Sequence, residues 1–129
     1  MIAYAMRCDV RPQYLPDQSE PANGLYAFAY TVTVTNVGRV PAQLIARHWH
    51  IEDANGRREE VKGLGVVGQQ PLLRPGEAFE YTSGTRLRTE RGTMWGSYFC
   101  VAEDGERFDV EIAPFLLDAK ADGEGRVLH

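Results

Sequence analysis

The chain reads as an all-β sandwich or barrel, and three observations carry that reading. From Leu25 to Thr35, Tyr26, Phe28, Tyr30, Val32 and Val34 fall on one face, with alanines and threonines on the other. That is the two-residue period of a half-buried strand, and aromatic and β-branched residues suit a pleated surface. Turn signals then recur roughly every 8–12 residues, the spacing of short antiparallel strands; Asn36–Gly38, Asn55-Gly56, Pro75-Gly76 and Asp104-Gly105 are among them. Finally, no segment keeps a helical period for more than about two turns.

Met1–Leu15 is a first strand region, with Tyr4, Met6, Cys8 and Val10 on one face. Pro12 and Pro16 demote its end to a sheet edge or a bulge. Pro16–Gly24 is a loop. After the strand at Leu25–Thr35 comes Ala42–Asp53, where Ile45, Trp49 and Ile51, with Arg47 among them, share one parity and are expected to face the core, while Leu44, His48, His50 and Glu52 take the other face. Asn55-Gly56 suits a tight hairpin, because both residues tolerate positive φ, and Arg57–Lys62 forms the return strand. Ala78–Leu87 is a strand with a bulge expected at Gly84. Thr93–Ala102 is a strand interrupted by Gly96, and Arg107–Leu117 closes the sheet. Asp118–His129 is a polar, partly loose tail.

The 129 residues suit a single domain covering 1–129. The net charge of −4 argues against a nucleic-acid partner, although Lys and Arg concentrate between Arg39 and Arg91. Nothing resembles a signal peptide or a membrane span. Cys8 and Cys100 are far apart and lie within apolar strands. They read as buried thiols in a reducing cytoplasm.

Several blocks carry a family resemblance: QSEP at Gln18–Pro21, YAFAYTVTVTNVG at Tyr26–Gly38, RHW at Arg47–Trp49, GLGVVGQQPLLRPGE at Gly63–Glu77, YTSG at Tyr81–Gly84 and GTMWGSY at Gly92–Tyr98. In this order they span nearly the whole chain and resemble the ApaG family, as does the ending Leu128-His129. The resemblance implies a fibronectin type III-like, immunoglobulin-like β-sandwich of about seven strands in a bacterial cytoplasmic protein. It implies no agreed enzymatic activity. It also implies an association with cobalt tolerance and magnesium efflux and, from related eukaryotic domains, a protein-binding role.

Two clusters are candidates for chemistry. Gly63-x-Gly65-x-x-Gly68 has the letters of a dinucleotide fingerprint, but the prolines that follow forbid the helix on which that mechanism depends. Two readings remain for it. In the leading one the loop contacts an unidentified protein partner through Gly63, Gly65, Val66, Val67 and Gly68, because two loop valines are expected to be exposed. In the alternative its N–H groups cradle a phosphate, pyrophosphate or nucleotide, with Arg47, Lys62 or Arg74 supplying charge and a divalent ion a possible companion. Neither reading needs a resident cofactor, and a monomer or weak dimer suits both. The second cluster is His48, His50 and Glu52, which share a strand face and offer the beginnings of a metal site. No catalytic residues are assigned: Ser83 lacks a nucleophile elbow, and the chain has only three histidines. Trp95 is either an exposed binding anchor beside arginines or covered by the tail.

Overall fold

The computed structural model describes residues 2–120. Eight strands form two antiparallel sheets, stacked as a sandwich. They are β1 (Met6–Tyr14), β2 (Tyr26–Asn36), β3 (Ala42–Asp53), β4 (Arg58–Leu64), β5 (Leu72–Leu73), β6 (Ala78–Leu87), β7 (Arg91–Ala102) and β8 (Arg107–Asp118). One sheet runs β1-β2-β6. The other runs β4-β3-β7-β8, with β5 also paired to β3. The loop between β1 and β2 contains two short 3₁₀ turns, Pro16–Gln18 and Pro21–Asn23. Residues 121–129, which hold most of the expected loose tail and the Leu128-His129 ending, lie outside the described residues.

The core is made by the alternation seen in β2. Phe28, Tyr30, Val32 and Val34 are buried against Leu44, Trp49, Met94, Tyr98 and Leu117 of the facing sheet. Trp49 stands at the centre, with Tyr30, Tyr98 and Phe115 edge-on around it at centroid distances of 5.4, 6.2 and 6.0 Å. The edge-to-face arrangement suits the ring quadrupoles. Tyr81 and Tyr98, one from each sheet, meet hydroxyl to hydroxyl inside the core. Asn36 is the buried polar residue among the described ones. Its amide donates to Val40 O at 3.0 Å and Leu73 O at 2.8 Å, and its side-chain oxygen accepts from Gly38 N–H at 2.8 Å. It therefore ties the β2–β3 turn to β5.

Four sequence expectations need correction. Leu44 is fully buried, because a register shift at Ile45 exchanges the inward parity of β3. Before the shift Ala42 and Leu44 face the core; after it Trp49 and Ile51 do. Gly84 is not a bulge, since β2 and β6 pair without a shift through Ala29 and Gly84. Gly96 does not interrupt β7. The bulge lies opposite it on β8, where Ala113 and Pro114 face the single residue Trp95. A bulge accepts proline there because the local ladder is already broken. Finally, β4 runs on to Leu64, so Gly63 belongs to a strand and not to a loop.

Candidate functional site

The outer face of the five-stranded sheet gathers most of the chemistry. On β3 the residues after the Ile45 shift that point outward are Ala46, His48, His50 and Glu52. Strand pairing sets Leu64, Lys62, Glu60 and Arg58 beside them on one side, and Phe99, Ser97, Trp95 and Thr93 on the other. The face is thus a grid of cross-strand neighbours.

At one end of the grid is a cavity of about 560 Å³ lined by Ala46, Leu64, Phe99, Lys62, Ser97 and Asp109, with His48, Arg47 and Gly63 beside them. Ala46, Leu64 and Phe99 supply its apolar part, and Lys62 and Asp109 give it charges of opposite sign. Leu64 is 74% exposed, large for an apolar side chain.

At the middle of the grid stand His48, His50 and Glu60. The two imidazoles lie with centroids 4.5 Å apart, and His48 Nε2 contacts Glu60 Oε2. One ligating atom from each of the three residues falls within 4.8 Å of the others. The bond from His48 holds the Glu60 carboxyl below its usual range, and the positive charge of Lys62, 3.9 Å away, acts in the same direction. Glu52, expected in this cluster, is instead engaged by Arg58, which donates from Nη2 at 2.8 Å and from Nε at 3.2 Å. The third member of the cluster, its one carboxylate, comes from the neighbouring strand. Glu60 is opposite His50 in the pairing, a relation that sequence spacing along one strand does not reveal. Trp95 is half-buried. His50 stacks on it at 5.3 Å and 13°, and Arg58 Cζ lies 5.0 Å from the ring centroid.

The glycine segment forms a different structure from the expected loop. Gly65 N–H donates to Ile45 O at 2.7 Å, while Val66 and Gln69 exchange backbone bonds of 2.8 and 2.9 Å around a tight turn. Gly65 and Gly68 have φ of 68° and 81°, and Val67 has φ of 42°. Positive φ at both central residues of the turn is the pattern of a type I′ hairpin. Gln70 Nε2 donates to Ile45 O, and Gln43 Nε2 to Gln70 O, pinning the segment to β3. Val66 is fully buried in the core, so the expectation of two exposed valines holds for Val67 alone, which is 54% exposed.

The cations proposed for this segment make other contacts. Arg47 Nη1 donates to Leu64 O and Gly65 O, both at 3.0 Å. It therefore binds the segment's carbonyl oxygens and does not project beside its N–H groups. Arg74 lies in its own turn, where its backbone N–H donates to Glu77 Oε1 at 2.8 Å. Lys62 remains at the cavity, on the outer face.

Two antiparallel sheets with β1-β2-β6 against β4-β3-β7-β8 and a Trp-centred core define an immunoglobulin-like sandwich of the fibronectin type III kind. Comparison with known proteins narrows this. The family model described as the ApaG domain matches residues 16–102. Protein ApaG of Acidovorax sp. (strain JS42) is 63% identical over 132 residues, covering 98% of this chain and 96% of that protein. Protein ApaG of Ralstonia nicotianae is 58% identical, covering 91% and 94%. A crystal structure described as an ApaA protein from Bordetella pertussis superposes with a TM-score of 0.89 at 57% identity, covering 91% of this chain and 95% of that one. The chain belongs to the ApaG family.

Proposed function

We propose that this ApaG-family chain is a non-enzymatic recognition domain that takes an extended segment of a protein partner along the β4 edge. One apolar side chain of that segment would enter the cavity between Leu64 and Phe99. The observation behind this reading is that cavity: an apolar floor with Lys62 and Asp109 at its rim, beside an open strand edge. A strand added to such an edge gains main-chain hydrogen bonds, while alternate side chains supply specificity. Two of the other edges are blunted. β1 carries Pro12 and β8 carries the bulge at Pro114, both common ways of discouraging strand addition. β4 pairs with β3 without a shift and exposes Val61 as well as Leu64.

A phosphate ligand at the glycine turn has less support, since Gly65, Val66 and Gln69 spend their N–H groups on backbone carbonyls and Arg47 faces oxygens. The cobalt tolerance and magnesium efflux implied by the family resemblance would then run through a partner. We place the domain in the cytoplasm. Among the described residues no helix is long and apolar enough to cross a membrane.

The test is cross-linked capture from the source cell with the wild-type chain, Leu64→Glu, Phe99→Ala and, as a control, Val37→Glu, a change at an exposed apolar residue away from the cavity. A partner lost with the first two variants and kept with the control supports the proposal. A partner set unchanged in all of them ends it.

A further inference from the structure

We propose that His48, His50 and Glu60 form a binding site for a first-row divalent cation of borderline softness, typified by zinc. The inference rests on the three side chains alone and stands apart from the partner reading above.

Strand geometry assembles the donors. His48 and His50 are two residues apart on β3 and share its outer face. Glu60 is directly opposite His50 on β4 and diagonal to His48. Their ligating atoms lie within 4.8 Å of one another. Zinc bonds of about 2.0–2.1 Å place tetrahedral ligands roughly 3.4 Å apart. His48 and His50 are half-buried and Glu60 is exposed, so their side chains have room to rotate and close that difference. Two imidazoles and one carboxylate are a donor set that holds zinc with a fourth position open to water. The same set disfavours magnesium and calcium, which take oxygen ligands.

A second observation favours a built site over a chance cluster. His50 is held from behind: its ring lies flat on Trp95, Arg58 covers Trp95, and Glu52 fixes Arg58 through two hydrogen bonds. Such supports orient a ligand before the ion arrives. Lys62, 3.9 Å from the Glu60 carboxylate, opposes the cation and sets an upper limit on its affinity.

Isothermal titration of the full chain with zinc chloride at neutral pH tests the proposal. One zinc per chain is expected, with affinity reduced in His50→Ala and in Glu60→Gln by more than the roughly tenfold that loss of a supporting residue behind a ligand costs. His129→Gln should leave it unchanged, since His129 is the remaining histidine of the chain. Zinc should also change the tryptophan emission of the wild type, through Trp95 stacked on His50, and not that of His50→Ala, and magnesium should produce no heat. Absence of zinc binding overturns the proposal. So does binding that survives both substitutions, binding that disappears with His129→Gln, or an equal response to magnesium. If His50→Ala fails to fold, Glu60→Gln on the exposed edge strand decides the question.

Discussion

The guanidinium of Arg47 lies against Gly63 of the neighbouring strand. A Cβ at Gly63 would fall 2.8 Å from Arg47 Nη1. The glycine is therefore the space that lets Arg47 reach the Leu64 and Gly65 carbonyls. Gly63→Ala should displace the guanidinium and destabilise the fold by about 1–3 kcal/mol, through its weakened charge-assisted bonds to the Leu64 and Gly65 carbonyls. Arg47→Lys should also destabilise, because one ammonium on a flexible stem replaces a planar fork. Urea unfolding of both variants checks this. Midpoints unchanged from the wild type would show that Arg47 does not organise the segment.

Val67 carries the opposite kind of strain. A β-branched residue at φ of 42° is sterically disfavoured, by roughly 1–2 kcal/mol for left-handed backbone. Its side chain is also mostly exposed, so little packing offsets the cost. Val67→Asn should raise the thermal midpoint. Gly65→Val should lower it, because Gly65 has φ of 68° and its added Cβ would lie 2.5 Å from Gln69 O. A lowered midpoint for Val67→Asn would mean that the exposed valine is held by contacts that outweigh its strain.

How far the sequence could be read follows from how local each signal was. The aromatic alternation of β2 and the hairpins at Asn55-Gly56 and Asp104-Gly105 are set by neighbouring residues and emerged in place, but only the glycine of each pair takes positive φ, so neither turn has the expected positive φ at both residues. The inward parity of Leu44 was misread because it depends on a register shift at Ile45, and a shift belongs to a strand pair. Glu60 was missed as the third member of the histidine cluster for the same reason: its position opposite His50 exists only once β4 has folded back. Arg47 was correctly placed near the glycines. The carbonyls that it would meet there depend on backbone direction, which residue spacing does not encode.

The Tyr81–Tyr98 hydroxyl pair makes a third prediction. Burial pushes both hydroxyls well above the usual tyrosine range, so both stay protonated at any ordinary pH. Removing one hydroxyl strands the other in the core. Tyr98→Phe should therefore cost about 1–3 kcal/mol, the penalty of an unsatisfied buried polar group. The double variant Tyr81→Phe/Tyr98→Phe removes both groups together and should be more stable than the weaker single variant. Denaturant midpoints of the four proteins form a double-mutant cycle. Strictly additive losses would show that the hydroxyls do not depend on each other.

Thiol reactivity gives a fourth. Burial pushes the Cys8 and Cys100 thiols up to about 12, and neither forms a disulfide. At pH 8 almost no thiolate exists, and the thiolate is the reactive form. Both residues should resist alkylation in the native chain and react fully in urea. Rapid native labelling of the buried Cys100 would contradict its placement in the apolar interior, and labelling of the half-buried Cys8 as fast as in urea would contradict its packing against the core.

The last prediction concerns acid and base stability. Tyr4 Oη donates to Asp104 Oδ2 at 2.5 Å and links the segment before β1 to the β7–β8 turn, while the Tyr4 ring packs 5.8 Å from Phe108. The bond from Tyr4 holds the Asp104 carboxyl below its ordinary range. Its contribution is then present above the unfolded Asp value of about 3.9 and is lost as pH falls through the lower folded value. The same bond raises the Tyr4 hydroxyl. That contribution is present below the unfolded Tyr value of about 10 and is lost as pH rises through the higher folded one. Between these limits the link should be constant. Thermal midpoints measured across pH for the wild type and Tyr4→Phe should therefore differ most on the plateau and converge on both the acid and the alkaline side. A difference between the two proteins that stays the same from acid to alkali would mean that Tyr4 acts through its ring packing on Phe108 and not through its hydroxyl.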